Sequence, residues 1–222
     1  EFDVVRFNRL ALDALKDILE RGSMPVIVAG SGLYLQVLLD GIFEGKGKNE
    51  KVRNELKRRS NSEGNEVLYK ELKNCDPQAA EKIHPHDTRR LVRALEVYEV
   101  SKTPISQLQK NRIGLWGRYN ISIIGLKMER AQLYQKINDR VDAMIDSGLV
   151  EEIRQLQSMS LSLTAQHLIG VKEILKYLNH EWSLDTAVEK MKQNTRNFAK
   201  RQMTWFRKEK RIEWFDLTDE IG

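Results

Sequence analysis

The chain has 222 residues, of which 41% are hydrophobic and 31% are charged, and its formal net charge is +5. This composition fits one folded domain, or one domain with an insertion, and excludes a wholly disordered chain. No apolar run approaches the ~18 residues that a membrane span needs, and the single cysteine, Cys75, excludes an internal disulfide and fits a reducing compartment such as the cytoplasm.

The N-terminal part is predicted to form a helix, a strand and a second helix. Apolar residues recur at spacings of three and four over 4–21, which predicts an amphipathic helix. The run "PVIVAG" (25–30) is rich in β-formers without alternation, so it predicts a strand covered on both faces. Helical periodicity resumes over 33–40, and the segment "GIFEGKGKNE" (41–50) is a candidate domain boundary.

The central part is predicted to be mostly helical. Residues 50–74 are highly charged and have a helical pattern. Asp76 and Asp87 are each placed to cap a helix, and Pro77 suits the first helical position after Asp76. The segment "YNISIIGLKM" (119–128) is the second candidate strand.

The C-terminal part is predicted to contain helices over 129–157 and within 162–182, and a long helix capped by Ser183. The segment "RIEWFDL" (211–217) is a third candidate strand. Helix separates each strand from the next, which predicts an α/β fold with a parallel sheet. Three parallel strands make a thin sheet, so we expect that one or two further strands precede residue 1.

The loop "AGSGLY" follows the first candidate strand and is a possible ligand loop. It lacks the lysine of a Walker A motif, and only Gly30 and Gly32 match the dinucleotide fingerprint, because Leu35 occupies the third glycine position. Two glycines allow close approach of a ligand to the backbone, and Ser31 supplies a hydroxyl at a helix start. An ordinary turn with Ser31 as N-cap is the alternative interpretation.

The segment "HPHDTRRLVRALEVY" crowds three guanidinium groups, Arg89, Arg90 and Arg93, into one sector of a helix start. Such a cluster favours phosphate recognition, because the planar fork of arginine suits phosphate oxygens. Ion pairs with Glu96 and Glu99 are the alternative interpretation.

The segment "NTRNFAKRQMTWFRK" has no acidic residue, which favours contact with a polyanion, with a solvated face as the alternative. Three cationic residues are predicted to share one face: Arg196, Lys200 and Arg207. Three apolar residues recur every seven positions and are predicted to face the core: Met191, Phe198 and Trp205. The four histidines are scattered, so they predict no metal site.

Three ordered segments resemble one family, the tRNA dimethylallyltransferases, also called tRNA isopentenyltransferases. "PVIVAGSGLYLQVLLDG" is similar to the family's strand and G-G-T-G-L-Y turn, with Ala29 and Ser31 in place of its first glycine and its threonine. "DPQAAEKIHPHDTRRLVRALEVYEVSKTPIS" is similar to the D-P-x-x-A-x-x-I-x-P-x-D-x-x-R-x-x-R-A-L-E block. "IGVKEILKYL" and "TRNFAKRQMTWFRK" are similar to the G-x-K-E and T-R-x-x-A-K-R-Q-x-T-W-F-R blocks. The resemblance extends from about residue 2 to about residue 216.

The resemblance implies a P-loop kinase-like α/β enzyme that binds nucleotide and ATP. The implied reaction moves a dimethylallyl group from dimethylallyl diphosphate to the N6 amine of an adenosine beside the tRNA anticodon. The implied cofactor is Mg²⁺, and the implied partner is the anticodon stem-loop of tRNA. A monomer in the cytoplasm, without membrane contact, is expected.

The resemblance also implies roles for particular residues. Arg196 is expected to be catalytic by contacting the diphosphate, and Ser31 is expected to contact tRNA near the target adenosine. Five further residues are expected to contact tRNA: Arg89, Arg90, Leu91, Val92 and Arg93. Possible additional contacts with diphosphate or tRNA come from Gly30, Gly32, Lys200, Arg201 and Gln202. No metal ligand is expected in this chain.

The chain departs from the family pattern in two ways. It contains no G-x-x-x-x-G-K-[ST] loop, and the general-base aspartate that follows that loop in the family is missing as well. We expect both to lie in an N-terminal segment before residue 1, and we expect the chain alone to be inactive and marginally stable.

The family also has a small helical insertion, which we place at 46–84, between core segments 1–45 and 85–222. The helices after residue 130 are the rival position. Three other functions stay open from the sequence: prenylation of free adenine nucleotides, RNA binding without catalysis, and a small-molecule P-loop kinase.

Overall fold

A computed structural model of the chain describes residues 2–43, 49–159 and 161–218. Over these ranges the chain forms the following α-helices: α1 (Val4–Glu20), α2 (Gly32–Asp40), α3 (Glu50–Glu63), α4 (Asn65–Cys75), α5 (Pro77–Ala80), α6 (Thr88–Ser101), α7 (Ile105–Leu108), α8 (Arg130–Asp146), α9 (Leu149–Gln157), α10 (Leu163–Gln166), α11 (Val171–Leu178) and α12 (Leu184–Phe206). A 3₁₀ turn follows α7 at Gln109–Asn111, and the strands are β1 (Ile123–Lys127) and β2 (Ile212–Asp216). In this described part, no helix is both long and apolar enough to cross a bilayer.

The chain divides into two compact units. The first unit consists of three segments: Glu1–Phe7, Gly22–Tyr34 and Asn120–Gly222. The second unit consists of two segments: Asn8–Arg21 and Leu35–Tyr119. The predicted insertion at 46–84 has its first boundary outside the described residues, and its extent stays a prediction.

The first unit contains the sheet. β1 and β2 pair in parallel, with a register from Ile123 opposite Ile212 to Lys127 opposite Asp216. Five helices, α8 to α12, separate the two strands in the sequence, which is the long crossover that a parallel pair requires. The predicted α/β fold with a parallel sheet and flanking helices is therefore confirmed, as are the candidate strands that contain β1 and β2.

The first candidate strand, residues 25–30, is wrong. The side chains of Val26 and Val28 are 74% and 96% exposed, whereas a strand covered on both faces would bury them. A strand needs hydrogen bonds to a neighbouring strand, and in the described residues only β1 and β2 pair. The run has β-propensity but no partner, and propensity depends on what a segment packs against.

The second unit is a helical cluster built on α3, α4 and α6. Five leucines, each at most 5% exposed, form its centre: Leu56, Leu68, Leu72, Leu91 and Leu95. They belong to helices that are charged on their other faces, so the unit buries an apolar stripe from each helix. Residues 50–74 are helical as predicted, with a break at Gly64.

The predicted helix caps are confirmed. The side chains of Asp76, Asp87 and Ser183 each accept a hydrogen bond from the backbone N–H three residues later, at 3.0, 3.2 and 3.2 Å. Pro77 occupies the start of α5, as expected from its missing N–H. These local signals fix where the helices begin, because each cap satisfies a backbone donor that lacks an intrahelical partner.

Candidate functional site

In the first unit, the turn formed by Gly30, Ser31 and Gly32 lies against α12. The side-chain amide of Gln202 donates a 2.8 Å hydrogen bond to the carbonyl oxygen of Gly30. A Cβ atom added at Gly32 would lie 2.0 Å from Cδ1 of Trp205, so the indole packs directly on this glycine. Two of the three segments that carry the family resemblance are therefore in contact.

Ser31 is half-buried immediately before α2. Its Oγ accepts a 3.4 Å hydrogen bond from the N–H of Tyr34, as the N-cap interpretation predicts. The ring of Tyr34 in turn stacks on Phe7, with centroids 4.3 Å apart. A capping hydroxyl uses its oxygen as an acceptor and keeps its hydrogen as a donor, so the N-cap position leaves Ser31 able to contact a ligand.

Arg196 and Lys192, four residues apart on α12, face α8. The guanidinium of Arg196 donates a 2.5 Å hydrogen bond through Nη1 to Oδ1 of Asn138. The ammonium of Lys192 lies 2.8 Å from Oδ1 of Asp142. The hydrogen bond to Asp142 raises the pKa of Lys192 and outweighs the opposing effect of its burial. Arg196, the predicted catalytic residue, is thus half-buried and oriented by a neutral side chain.

Glu173, which belongs to the G-x-K-E block, anchors the middle of α12. Its side chain is buried, and its two carboxylate oxygens accept hydrogen bonds from the N–H of Gly170 at 2.8 Å and from Nδ2 of Asn194 at 2.7 Å. Sequence reasoning assigned no role to Glu173 or to Asn138. A glutamate three residues after a glycine at a helix start was the available signal for Glu173, because this spacing is typical of a capping contact.

The predicted apolar stripe on α12 is only partly correct. Met191 is buried, but Phe198 and Trp205 are 43% and 41% exposed. Seven-residue spacing places these side chains on one face of the helix, yet the buried residues of α12, Ala187 and Met191, both lie in its first half. Further along, Trp205 packs on Gly32, and the ring of Phe198 lies 5.7 Å from the guanidinium carbon of Arg201.

Lys200 and Arg201 are exposed on α12, one helical turn after Arg196. Gln202 is half-buried because it reaches back to the turn at Gly30. Of the three residues of this block that are predicted to contact diphosphate or tRNA, Lys200 and Arg201 are therefore exposed cations, and Gln202 holds the turn.

The second unit contains the other predicted site segment, residues 89–93. Leu91 and Val92 are buried in the leucine cluster, so their side chains are unavailable to a ligand. Arg89 and Arg90 are exposed at the start of α6. Arg90 lies 3.1 Å from Asp87, whereas the described residues contain no ion pair of Arg89. The side chains that could contact tRNA in this segment are therefore arginines.

Arg93 forms the ion pair with Glu96 that the alternative interpretation of the arginine cluster predicted. Its Nη1 lies 3.1 Å from the buried carboxylate of Glu96, which also accepts hydrogen bonds from Arg53 at 2.7 Å and from the N–H of Asn49 at 2.9 Å. Burial by itself would raise the pKa of Glu96, but these three donors together lower it below the ordinary value. The other proposed partner, Glu99, instead pairs with Lys102 at 2.9 Å.

Magnesium has no evident protein site in the described part of the chain. Among those residues, no group of three or more histidine, cysteine, aspartate or glutamate side chains could hold a metal ion. Mg²⁺ prefers carboxylate and phosphate oxygens, and Asp142, the carboxylate on the α8 face that meets α12, is paired with Lys192. We therefore assign no step to a metal held by these residues.

Comparison with known sequences gives consistent matches along the whole chain. The sequence model of the IPP transferase family matches residues 1–209. The tRNA dimethylallyltransferase of Natranaerobius thermophilus is 44% identical over 222 residues, which cover 99% of this chain and 66% of that protein. The tRNA dimethylallyltransferase of Geobacillus thermodenitrificans is 44% identical over 220 residues, which cover 98% of this chain and 70% of that protein.

Comparison with solved structures agrees with the sequence matches. The tRNA isopentenylpyrophosphate transferase of Bacillus halodurans is 38% identical with a TM-score of 0.65, over 99% of this chain and 68% of that chain. A eukaryotic dimethylallyltransferase, solved acting on tRNA, is 30% identical with a TM-score of 0.78, over 99% of this chain and 58% of that chain.

The matched proteins are named as enzymes that transfer prenyl groups, and their solved structures share the fold of this chain, an α/β fold with a parallel sheet and flanking helices. The chain belongs to the IPP transferase family. The family and enzyme class predicted from the sequence are confirmed. The chain spans about two thirds of the length of the relatives it matches, 66% and 70% for the two named above.

Proposed function

We propose that the protein transfers a dimethylallyl group from dimethylallyl diphosphate to the N6 amine of an adenosine adjacent to the tRNA anticodon. The observation that carries the proposal is the contact between the turn at Gly30–Gly32 and α12. This contact joins a backbone-exposing turn to a helix whose second half is cationic and free of acidic residues. That combination suits a substrate pair in which one partner carries a diphosphate and the other is a polyanion.

Arg196 would stabilise the negative charge that the departing diphosphate acquires during the transfer. In the transfer, the N6 nitrogen forms a bond to the C1 carbon of the dimethylallyl group, and the bond from C1 to the diphosphate oxygen breaks. The bonding electrons leave with the diphosphate, and the amine loses a proton to a base. A guanidinium aimed at the departing oxygens stabilises the negative charge that develops on them.

The turn provides the second set of contacts. Ser31 would donate a hydrogen bond to the tRNA substrate near the target adenosine, and Gly30 and Gly32 would let its backbone come close. Lys200 and Arg201 are exposed and would contact phosphate groups of the diphosphate or of tRNA. Gln202 would act by holding the turn, since its amide is engaged by Gly30.

The second unit would grip the tRNA backbone. Arg89 and Arg90 present exposed guanidinium groups at the start of α6, and Arg93, whose Nη1 is paired with Glu96, would contribute through its remaining donors. Phosphate contacts of this kind fix the position of a nucleic acid without reading its sequence. The target adenosine has to leave its stack for its amine to be reached. The predicted Mg²⁺, the monomeric state and the cytoplasmic location stay predictions.

A labelled-transfer assay tests this proposal. The complete gene product that contains this chain is incubated with radiolabelled dimethylallyl diphosphate and either tRNA or adenosine monophosphate. We expect label in tRNA, and we expect Arg196→Ala to reduce the rate by about 10²–10³-fold. Lys190→Ala is the matched control, because Lys190 is an exposed cation on the same helix outside the proposed site, and its rate is expected to be unchanged.

Other outcomes would identify the competing functions. Label in adenosine monophosphate but not in tRNA would indicate the nucleotide-prenylating function. Salt-sensitive binding of tRNA without transfer would indicate RNA binding without catalysis. An unchanged rate in Arg196→Ala would remove Arg196 from the mechanism and leave the family assignment intact.

A further inference from the structure

The contact between α8 and α12 is made by two side-chain bridges of different character. Asn138 and Asp142 are four residues apart on α8, and Arg196 and Lys192 are four residues apart on α12. Asn138 meets Arg196 and Asp142 meets Lys192, so the two helices run antiparallel across the contact. Residues at this spacing share one face of a helix, which makes the two bridges neighbours.

The two bridges differ in charge. Lys192 is paired with a carboxylate, and its side chain is only 14% exposed, so its charge is compensated within the protein. Arg196 is paired with a carboxamide, which carries no charge, and the described residues contain no salt bridge to it. A guanidinium has donors only, so it must be met by the oxygen of the amide. Arg196 is therefore oriented without being neutralised.

We propose that Asn138 is a positioning residue for the transfer reaction, whose neutral amide oxygen holds the guanidinium of Arg196 while leaving its full positive charge for the diphosphate. A carboxylate here would hold the guanidinium equally well but would compete with the diphosphate for its charge and donors. This inference rests on the proposed role of Arg196. It explains why Arg196 is bonded to the neutral Asn138, whereas Lys192 on the same helix is paired with the carboxylate of Asp142.

The test compares Asn138→Asp with Asn138→Ala, with Asp142→Asn as the matched control in the neighbouring bridge. Each variant of the complete gene product is measured for thermal stability, for kcat and KM with dimethylallyl diphosphate, and for inhibition by inorganic pyrophosphate. Arg196→Ala is measured in parallel to establish that the arginine contacts the diphosphate.

For Asn138→Asp we expect equal or higher thermal stability together with pyrophosphate inhibition weakened by about 10- to 100-fold, the range for loss of one hydrogen bond to a charged group. For Asn138→Ala we expect a lower kcat with KM nearly unchanged, because the guanidinium keeps its charge but loses its orientation. Asp142→Asn is expected to lower stability without changing pyrophosphate inhibition.

The outcomes separate this inference from the proposed function. If Arg196→Ala weakens pyrophosphate inhibition but Asn138→Asp does not, Asn138 is only a structural bridge and the inference fails alone. If Arg196→Ala leaves pyrophosphate inhibition unchanged, the role of Arg196 and the inference fail together, while transfer of label to tRNA would still support the proposed function.

Discussion

The side-chain amide of Gln202 donates a hydrogen bond to the carbonyl oxygen of Gly30, although the two residues lie 172 positions apart in the sequence. Three residues further along α12, the indole of Trp205 packs on Gly32. These two contacts attach the turn that carries Ser31 to the helix that carries Arg196. A change in the packing of either glycine should therefore affect the proposed tRNA contact at Ser31.

Gly32→Ala should destabilise this attachment. An added Cβ would lie 2.0, 2.1 and 2.4 Å from three atoms of the Trp205 ring, so the indole would have to move away. Overpacking of this kind typically costs about 1–3 kcal/mol of the free energy of unfolding. Urea unfolding measures that cost, and the labelled-transfer assay should show a reduced rate for tRNA.

Gly30→Ala is a comparison for stability only, because Gly30 belongs to the proposed site. Its added Cβ would meet Nε2 of Gln202 at 2.6 Å, and this end of a flexible side chain can shift, so the expected loss is the hydrogen bond to Gly30, about 0.5–1.5 kcal/mol. Trp205→Ala should partly rescue Gly32→Ala, because it removes the ring that the new methyl group contacts. Equal losses for Gly32→Ala in the presence and absence of the indole would contradict the steric explanation.

Arg89→Ala should weaken tRNA binding without loss of stability. Arg89 is exposed and has no ion pair within the described residues, so its removal leaves no partner unsatisfied. The slope of log K against log [salt] should decrease in magnitude by about 0.7–0.9, the contribution of one phosphate contact. Fluorescence anisotropy with labelled tRNA at several salt concentrations measures this slope.

Two further variants are controls for the salt dependence predicted for Arg89→Ala. Arg154→Ala removes an exposed arginine on α9 that pairs with Glu151, and it should leave the slope unchanged. Leu91→Ala should lower stability by about 2–5 kcal/mol because its side chain is fully buried, and its folded fraction should bind tRNA with an unchanged slope. If the slope of log K against log [salt] is reduced for Leu91→Ala at a temperature where the variant is folded, Leu91 contributes to the tRNA interface after all.

The sequence predicted the helix starts and the paired strands well, because those features depend on local chemistry. Asp76, Asp87 and Ser183 cap helices through the backbone three residues later, and this spacing can be read directly from the sequence. The strands that contain Ile123 and Ile212 were found because each is a short run rich in β-branched and aromatic residues that follows a helical segment.

The failures have a common cause, which is that burial depends on neighbours distant in the sequence. The run at 25–30 has strand-forming residues, but pairing requires a partner that no local pattern specifies. Phe198 and Trp205 repeat the spacing of Met191, yet burial on α12 is confined to Ala187 and Met191 in its first half. The bridge from Asn138 to Arg196 likewise joins two helices 58 positions apart, and neither segment alone reveals it.

Glu96→Gln should destabilise the second unit at neutral pH. One oxygen of Glu96 accepts the N–H of Asn49, and the other accepts Arg53 and Arg93, so an amide cannot satisfy all three donors. The expected loss is about 1–3 kcal/mol of the free energy of unfolding at neutral pH. Urea unfolding of wild type and variant measures it.

The stabilisation by Glu96 should depend on pH, and the direction of its pKa shift shows in which pH range it is lost. The folded-state pKa of Glu96 is lower than the ordinary value of 4.5, so the stabilisation is fully present above that value. It is lost as the pH falls through the folded-state pKa, and the wild type should then approach the variant. Glu55→Gln, which removes an exposed partner of Arg58 in the same unit, should show no measurable change. A constant difference between wild type and Glu96→Gln across the acid range would contradict the assignment.

Glu173→Ala should lower the free energy of unfolding more than Glu173→Gln does. Both partners of the carboxylate, the N–H of Gly170 and Nδ2 of Asn194, are donors. Alanine leaves two donors without acceptors, the buried N–H of Gly170 and the half-buried amide of Asn194, and a buried unsatisfied group costs about 1–3 kcal/mol. Glutamine keeps an oxygen for Gly170, and the side-chain amide of Asn194 can turn round to present its own oxygen to the new NH₂ group.

Urea unfolding should therefore rank wild type, Glu173→Gln and Glu173→Ala in descending stability, with the glutamine variant closer to wild type. Removing the second partner checks the reason for this order. In Asn194→Leu one oxygen of the buried Glu173 carboxylate has no donor, so Glu173→Gln, which removes the charge, should cost less in that background than in wild type. If the glutamine variant is as unstable as the alanine variant in the wild-type background, the charge of Glu173 and not its two acceptor positions holds α12 in place.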